Sequence, residues 1–490
     1  MKKILGLFSV VLVVFLGVLV FRGIRLGGSL EPIERVEIEV DEERIAGHLA
    51  EAIRFRTISP GPPAVRDPAP FEAFISWAAS AYPEVHSSLE LDRIGGLSLL
   101  FTWPGRNPDA APILLTAHYD VVPVNPGSES DWSHPPFAGV VEDGVVWGRG
   151  ALDDKGAVIA LLEAVTALLE EGFEPERTIY IAFGHDEEIG GAEGAGAIVD
   201  HLLMRGVRPE WSLDEGSYIL EGILPGLAAP VASINVAEKG YLTIELVARG
   251  RGGHSSMPPE ETAVGTLARA ITRLQDNPMP GGLDGLTGEF FEALAAEMPL
   301  LARIAVANRW LFGGLIEQQL GGLGSANAML RTTTAPTMLV GSIKENVLPT
   351  EAIGTVNFRL HPRDRVEDVL EHVRTVVDDD RVEIRVSRAG NEASAVSSTE
   401  SQGFRDIARS AQEVHGPMIV APGLTVGGTD SRHWSRVAID AYRFNPMRVG
   451  SEDIAGFHGT DERMTVENLA QGTRSYIRLI ELAAGDPGRQ

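Results

Sequence analysis

Short apolar strands that alternate with helices limit what this chain can become more than any other feature. Residues 97–103 and 113–117 read as strands, the second short and continuously apolar, as in a sheet buried on both faces. Residues 158–169 read as a strong helix and 178–183 as the next strand. Upstream, Ile45, Leu49 and Ile53 recur at helical spacing across residues 42–55, and residues 71–81 form a second helix after a loop from Gly61-Pro62-Pro63 to Pro70. Strands alternating with helices build an α/β layer architecture. In such a sheet, ligands gather at the carboxyl ends of the strands.

The pattern changes near Glu238. Residues 241–248 are a strand, 262–274 a helix, 337–343 and 352–360 strands, 366–377 a helix and 382–386 a strand. That β-α-β-β-α-β order is ferredoxin-like. Inside it lies an extra stretch, residues 276–330, rich in glycine and apolar side chains that include Phe290, Phe291, Leu294, Leu301, Ile304, Trp310 and Phe312. It reads as domain core or a dimer face, with a greasy wall for an acyl chain as the alternative. From about Asn391 the α/β pattern resumes. A small domain, residues 238–388, is thus expected within a larger one formed by residues 42–237 and 389–485.

The N-terminus carries its own signal. Lys2 and Lys3 precede an apolar run from Ile4 to Phe21, which Arg22 and Arg25 stop. About 18 residues at about 1.5 Å each reach roughly 27 Å, just enough for the hydrocarbon core. No small-x-small cleavage site follows, so residues 1–28 read as an uncleaved signal-anchor, with the body outside the cytoplasm; cleavage would make the protein secreted. The arginines on the far side run against the positive-inside rule. Residues 29–40 are acidic and read as a tether. A formal net charge of −26 argues against a nucleic-acid partner, whose phosphates would be repelled.

There is no cysteine, which excludes disulfides, thiolate metal sites and cysteine nucleophiles together. A transition-metal site must therefore use histidine and carboxylates, and these sit at telling places. His118-Tyr119-Asp120 follows the strand 113–117, with His118 and Asp120 on one side of an extended segment. A carboxylate that orients a ligand histidine is a recurrent device. Gly148-Arg149-Gly150-Ala151-Leu152-Asp153-Asp154-Lys155-Gly156 opens the helix near Ala157, where paired aspartates also read as caps. Glu187-Glu188 follows the strand 178–183, Asp214-Glu215 follows Trp211-Ser212-Leu213, and Phe457-His458-Gly459-Thr460-Asp461-Glu462 lies in the resumed α/β unit. Together they are a ligand set for two cations that share a carboxylate. Gly191 to Gly196 only loosely matches a dinucleotide fingerprint, without the strand it needs immediately before it.

Over residues 44–482 these segments resemble the co-catalytic di-zinc exopeptidases and amidohydrolases that include aminoacylase, carboxypeptidase S, glutamate carboxypeptidase and succinyl-diaminopimelate desuccinylase. With the lid segment Gly252-Gly253-His254-Ser255-Ser256 and the late Gly427-Gly428-Thr429-Asp430, they look most like the carboxypeptidase S branch, which includes N-fatty-acyl-amino-acid synthase/hydrolases. The resemblance implies a zinc-exopeptidase-like catalytic domain with an inserted ferredoxin-like lid that also allows a homodimer. It implies two Zn²⁺ per subunit, replaceable by Co²⁺ or Mn²⁺: His118 and Asp214 on one, Glu188 and His458 on the other, and Asp153 between them. Asp120 would orient His118, Glu187 would be the general base, and His254 would stabilise the oxyanion, in some relatives across a dimer. Arg359 and Asn346 look like contacts to a substrate carboxylate, and Gly427, Gly428, Thr429 and Asp430 like the loop that holds the substrate. The expected reaction releases a C-terminal amino acid from a short peptide, or hydrolyses or forms an N-acyl amino acid. A binding protein on the same fold would have no need of Glu187.

Overall fold

The computed structural model describes Lys2 to Asp486, apart from Ser29, Glu31, Pro62 and Pro225. Among the described residues, a ten-stranded sheet forms the body. Its centre is a run of parallel strands, Ile179–Gly184, Ile113–His118, Trp211–Asp214 and Asp440–Arg443. The continuous apolar sequence of these strands follows from coverage on both faces. Ile113, Leu115, Ala117, Ile179, Ile181 and Phe183 enter the larger core cluster, while Leu114, Tyr180 and Ala182 pack with Ile198, Val199, Leu202 and Trp434 on the other face. Helix Lys155–Glu170 is buried almost all round because it lies between the sheet and helices Glu42–Arg54 and Val466–Ala484. Each leucine-sized side chain buried in this way contributes about 1.5–3 kcal/mol. This mixed α/β layering is the expected class.

A four-stranded antiparallel sheet has the order Thr333–Val340, Glu351–Leu360, Gly240–Arg249, Val382–Asn391. Helices Ala263–Asp276 and Val366–Val377 pack on one of its faces. Leu242, Ile244, Leu246, Val356 and Phe358 meet Leu267, Val369 and Val373 there. Strand Glu351–Leu360 buries every second residue, which is the period of a sheet covered on one side. The strand expected over residues 337–343 instead runs Thr333–Val340, because pairing starts at Thr333 opposite Arg359 and ends at Val340 opposite Ile353.

The stretch between this sheet's first helix and its second strand is helical: Gly285–Ala295, Leu300–Ala307, Arg309–Leu320 and Gly324–Leu330. It is not a core of the small domain. Phe290 and Leu294 of its first helix pack on Val231, Ile419 and Ala421 of the large sheet. Its second helix, Leu300–Ala307, lies along the N-terminal helix Lys2–Leu26. Gly23 faces Ile304 so closely that a Cβ would come within 2.5 Å of the Ile304 side chain. Asn308 donates its side-chain amide to the Leu19 carbonyl at 3.1 Å, and Phe15 meets the Trp310 ring edge-on at 6.2 Å. The N-terminal helix is long and apolar enough to cross a membrane, and its other faces are exposed.

The segment read as a tether is strapped to the body. Val36 N–H donates to Glu413 O, the Arg35 guanidinium to Val414 O, and Arg474 to Ile38 O. Two positions of that expected tether, Ser29 and Glu31, lie outside the described residues.

Candidate metal centre

Four parallel strands end side by side, and the chemistry sits at those ends. His118 closes its strand, Glu187 and Glu188 follow Gly184 by a short turn, and Asp214-Glu215 closes the next strand. Asp153 stands just before helix Lys155–Glu170, across an Asp153–Asp154 peptide that is cis. One ligand atom each from His118, Glu187 and Glu215 lies within 4.8 Å of the others, and the same holds for Asp153, Glu188 and His458. Asp153 joins the two groups: one oxygen is 3.0 Å from His118 Nε2 and the other 3.1 Å from His458 Nε2. His458 Nε2 is also 3.3 Å from Glu188.

Asp120 is fully buried and organises this centre from behind. Its carboxylate accepts the backbone N–H groups of Glu187 at 3.2 Å and Glu188 at 3.3 Å and lies 3.4 Å from His118 Nδ1. One side chain thus fixes a histidine ring and the turn that carries both glutamates.

One sequence expectation changes. Asp214 is not the carboxylate beside His118. It turns into the sheet, where Thr116 Oγ1 on the neighbouring strand donates to it at 2.7 Å. Past the strand end the chain brings Glu215 round, with its Oε1 3.8 Å from His118 Nε2. Two further groups escaped the sequence reading. Glu462 is completely buried, and one of its oxygens accepts the backbone N–H groups of Leu152 at 2.9 Å and Asp153 at 3.1 Å, while the other takes Arg149 at 2.5 Å. Asp154 accepts Asn445 at 2.9 Å and the His118 backbone at 3.4 Å. The one available signal was that Glu462 shares a motif with His458.

The electrostatics are those of an anionic well. Burial raises the Glu187 carboxyl well above its usual range, and Asp430, Glu188 and Asp153 add to the shift against the pull of His118. Burial and Asp153 do the same to Glu215. Burial would also raise Asp153, yet hydrogen bonds from His118 and His458 hold it below the ordinary carboxylate range. Asp153 and Glu188 in turn push His458 up to about 10. Carboxylates outnumber basic groups here, and the donors are histidine nitrogens and carboxylate oxygens with no thiolate. That set suits a pair of divalent cations of the zinc type.

The remaining expected residues divide. Arg359 stacks on the Tyr241 ring at 4.9 Å, and a Cβ on Gly428 would lie 4.0 Å from its guanidinium, so the structure brings those two together. Gly427 and Gly428 are exposed. Thr429 donates to Glu238 at 2.8 Å. Asp430 is buried against the Glu187 turn, where a Cβ on Gly191 would come within 1.8 Å of its Oδ1. It is therefore a support beneath the turn and not an open substrate contact. His254 and Asn346 lie together on a short ribbon, Gly253–His254 with Val347–Leu348, and Ser255 N–H donates to Asn346 O at 3.1 Å. His254 is exposed and bonds Ser256, apart from both ligand groups.

A family model described as peptidase family M20/M25/M40 matches residues 114–482. The chain belongs to this family. It is 38% identical to the N-fatty-acyl-amino acid synthase/hydrolase PM20D1 of Xenopus tropicalis, over 98% of this chain and 95% of that protein. It is 40% identical to the probable carboxypeptidase S-like 2 of Dictyostelium discoideum, over 89% of this chain and 84% of that one. Among solved structures, the M20 family metallo-carboxypeptidase Sso-CP2 of Sulfolobus solfataricus superposes with a TM-score of 0.63 at 18% identity, covering 90% of this chain and 99% of that one. Members of the family are zinc-dependent, and the two ligand groups described above can hold the metal pair. The chain is a metallohydrolase of the carboxypeptidase S and acyl-amino-acid hydrolase type.

Proposed function

We propose that this metallohydrolase cleaves the amide bond that joins an acyl group to a C-terminal amino acid. The observation that carries the reading is Asp153 reaching both histidines, with Glu187 poised at the same place. His118 and Glu215 would hold one zinc, Glu188 and His458 the other, and Asp153 would serve both. Bound zinc supplies Lewis acidity toward the carbonyl and lowers the pKa of an attacking water to about 7. Glu187 takes the proton of that water and delivers it to the leaving amine, a task suited to a carboxyl whose proton affinity is raised by burial. Arg359, beside Gly428, would pair with the free carboxylate of the substrate.

The small domain would act as a lid that brings His254 and Asn346 to the substrate. Its edge strand Thr333–Val340 exposes Met338, Leu339 and Val340, and Ile343 follows it, 98% exposed. An unprotected apolar edge of this kind favours pairing with a second copy, which would supply His254 in trans. The N-terminal helix would anchor the protein in a membrane with its body outside the cytoplasm. On the acyl side, a short peptide is the first reading. A fatty acyl chain is the second, favoured by the relative that aligns with 98% of this chain, N-terminal helix and inserted helices included.

The test is turnover by the full-length, zinc-loaded protein, read by mass spectrometry on dipeptides and long-chain N-acyl amino acids side by side. Release of a free amino acid from either class is the expected result, and Glu187→Gln should abolish it while zinc content stays unchanged. Full turnover by Glu187→Gln would refute the mechanism. Binding without turnover by the native protein would favour a binding role.

A further inference from the structure

The inserted helices Leu300–Ala307 and Arg309–Leu320 carry an apolar surface that the hydrolytic site does not use. Trp310 is 62% exposed, Leu311 45% and Leu315 56%. We infer that these two helices form a hairpin that enters the lipid bilayer beside the N-terminal helix, so that the catalytic body is docked on the membrane surface as well as tethered to it. This inference rests on the anchor reading of Lys2–Leu26.

The contacts set the depth. Arg303 lies against Gly27, Ile304 against Gly23, Asn308 against Leu19 and Trp310 against Phe15. Rising numbers on one helix meet falling numbers on the other, so Leu300–Ala307 runs antiparallel to the anchor and descends toward its middle. Phe15 is six residues inside Phe21, the last apolar residue before Arg22. At about 1.5 Å per residue, Asn308 opposite Leu19 lies roughly 3 Å and the Trp310 ring opposite Phe15 roughly 9 Å below the charged boundary. Interfacial helices bury themselves about 5–10 Å deep. Arg22 and Arg25 stand at that boundary and Arg303, against Gly27, just above it, where guanidinium groups meet lipid phosphates.

The turn is built to tolerate lipid. Asn308 is fully buried, and its amide donates to the Leu19 and Ile304 carbonyls. Irregular backbone at membrane depth is tolerated where protein covers it. Glycine at position 23 lets the helices approach closely, as small residues do between helices in lipid. Arg309 is paired with Glu292. The hairpin then climbs back, and Glu317 reaches the body at Arg331, 2.8 Å away, with the exposed polar Gln318 and Gln319 beside it. Apolar side chains thus face outward near the turn, and polar ones where the helix returns. A soluble partner would need no such match in depth to the anchor.

The chain lacks cysteine, so single-cysteine labelling needs no background removal. The variants Leu311→Cys, Leu315→Cys, Leu12→Cys and, as a control on the body, Met204→Cys, each in the full-length protein, would carry an environment-sensitive fluorophore. They would be placed in phosphatidylcholine–phosphatidylglycerol vesicles with nitroxide-labelled lipids of shallow or deep placement. All four sites are exposed, and retained hydrolysis checks the fold. The expected result is blue-shifted emission at 311 and 315, quenched more by the shallow label than by the deep one. Position 12 should be quenched more by the deep label, and 204 by neither. If 12 is quenched while 311 and 315 behave like 204, the hairpin proposal is overturned and the anchor stands. If 12 is also unquenched, the anchor reading has failed and the hairpin falls with it. A blue shift at 311 and 315 that follows protein concentration, with no lipid quenching, would assign the patch to self-association and likewise overturn the proposal.

Discussion

Glu215→Ala should strip one zinc from each chain, whereas Asp214→Asn should leave both in place. The two residues are neighbours, yet of the two only Glu215 has an oxygen 3.8 Å from His118 Nε2, while Asp214 Oδ1 takes the Thr116 hydroxyl. Protein zinc sites bind with about 10–16 kcal/mol spread over about four ligands, so a lost ligand removes roughly 3 kcal/mol, more than a hundredfold in affinity. Asp214→Asn disturbs a buried hydrogen bond instead, which costs about 1–3 kcal/mol of folding stability. The assay is dialysis against a zinc buffer at low free metal, then metal analysis per chain, with urea unfolding alongside. The expected pattern is about one zinc for Glu215→Ala, and two for Asp214→Asn with a lower urea midpoint. Zinc loss in Asp214→Asn with full retention in Glu215→Ala would refute the geometric reasoning.

His254→Ala should lower kcat by about a hundred- to a thousandfold, the usual loss of one oxyanion donor, with no change in urea midpoint because the side chain is exposed. His415 is buried beside Arg448 and Arg35; burial first, then those guanidinium groups, lower its pKa to about 4. Its unfolded value is about 6.5, so the stability it contributes is complete above that pH and lost as the pH falls toward 4. The gap amounts to about 3 kcal/mol at most, and urea midpoints across that window should flatten in His415→Gln. Val340→Lys places a charge on the exposed edge strand, and light scattering should show a dimer becoming a monomer.

Much of this fold was legible because the information is local. Alternation assigns Ile113, Leu115 and Ala117 to one face of the sheet and Leu114 to the other, and helix Val366–Val377 has its expected bounds. The histidines and carboxylates stood out because they follow apolar strands, where an α/β sheet presents its ligands. What the sequence hid was decided at a distance. Whether Asp214 or Glu215 faces His118 depends on a threonine in the neighbouring strand. Glu462 matters through amides some 310 residues earlier in the chain. The inserted stretch read as domain core, a dimer face or an acyl wall because composition gives apolarity and not its partner. Its partners are the N-terminal helix and the far side of the large sheet.

The packing of Phe290 and Leu294 on Ile419 and Ala421 bears on how the enzyme moves. The polypeptide crosses between the large and the small sheet near Lys239 and near Asn391, two crossings that by themselves would make a simple hinge. The inserted helix adds a third point of attachment off that hinge line, because it springs from the small domain but is seated on the large one. Free rotation would have to pull those side chains out of contact, at about 1.5–3 kcal/mol for each large apolar group exposed. The segments that flank the inserted helices offer little slack: Met279 is packed in the core of the small sheet, Arg331 donates to the Met279 carbonyl, and Thr332 is fully buried. If the small sheet closes over the site as proposed, it is restrained like a door on a short chain, with its swing limited by the seat of Phe290 and Leu294 on the large sheet.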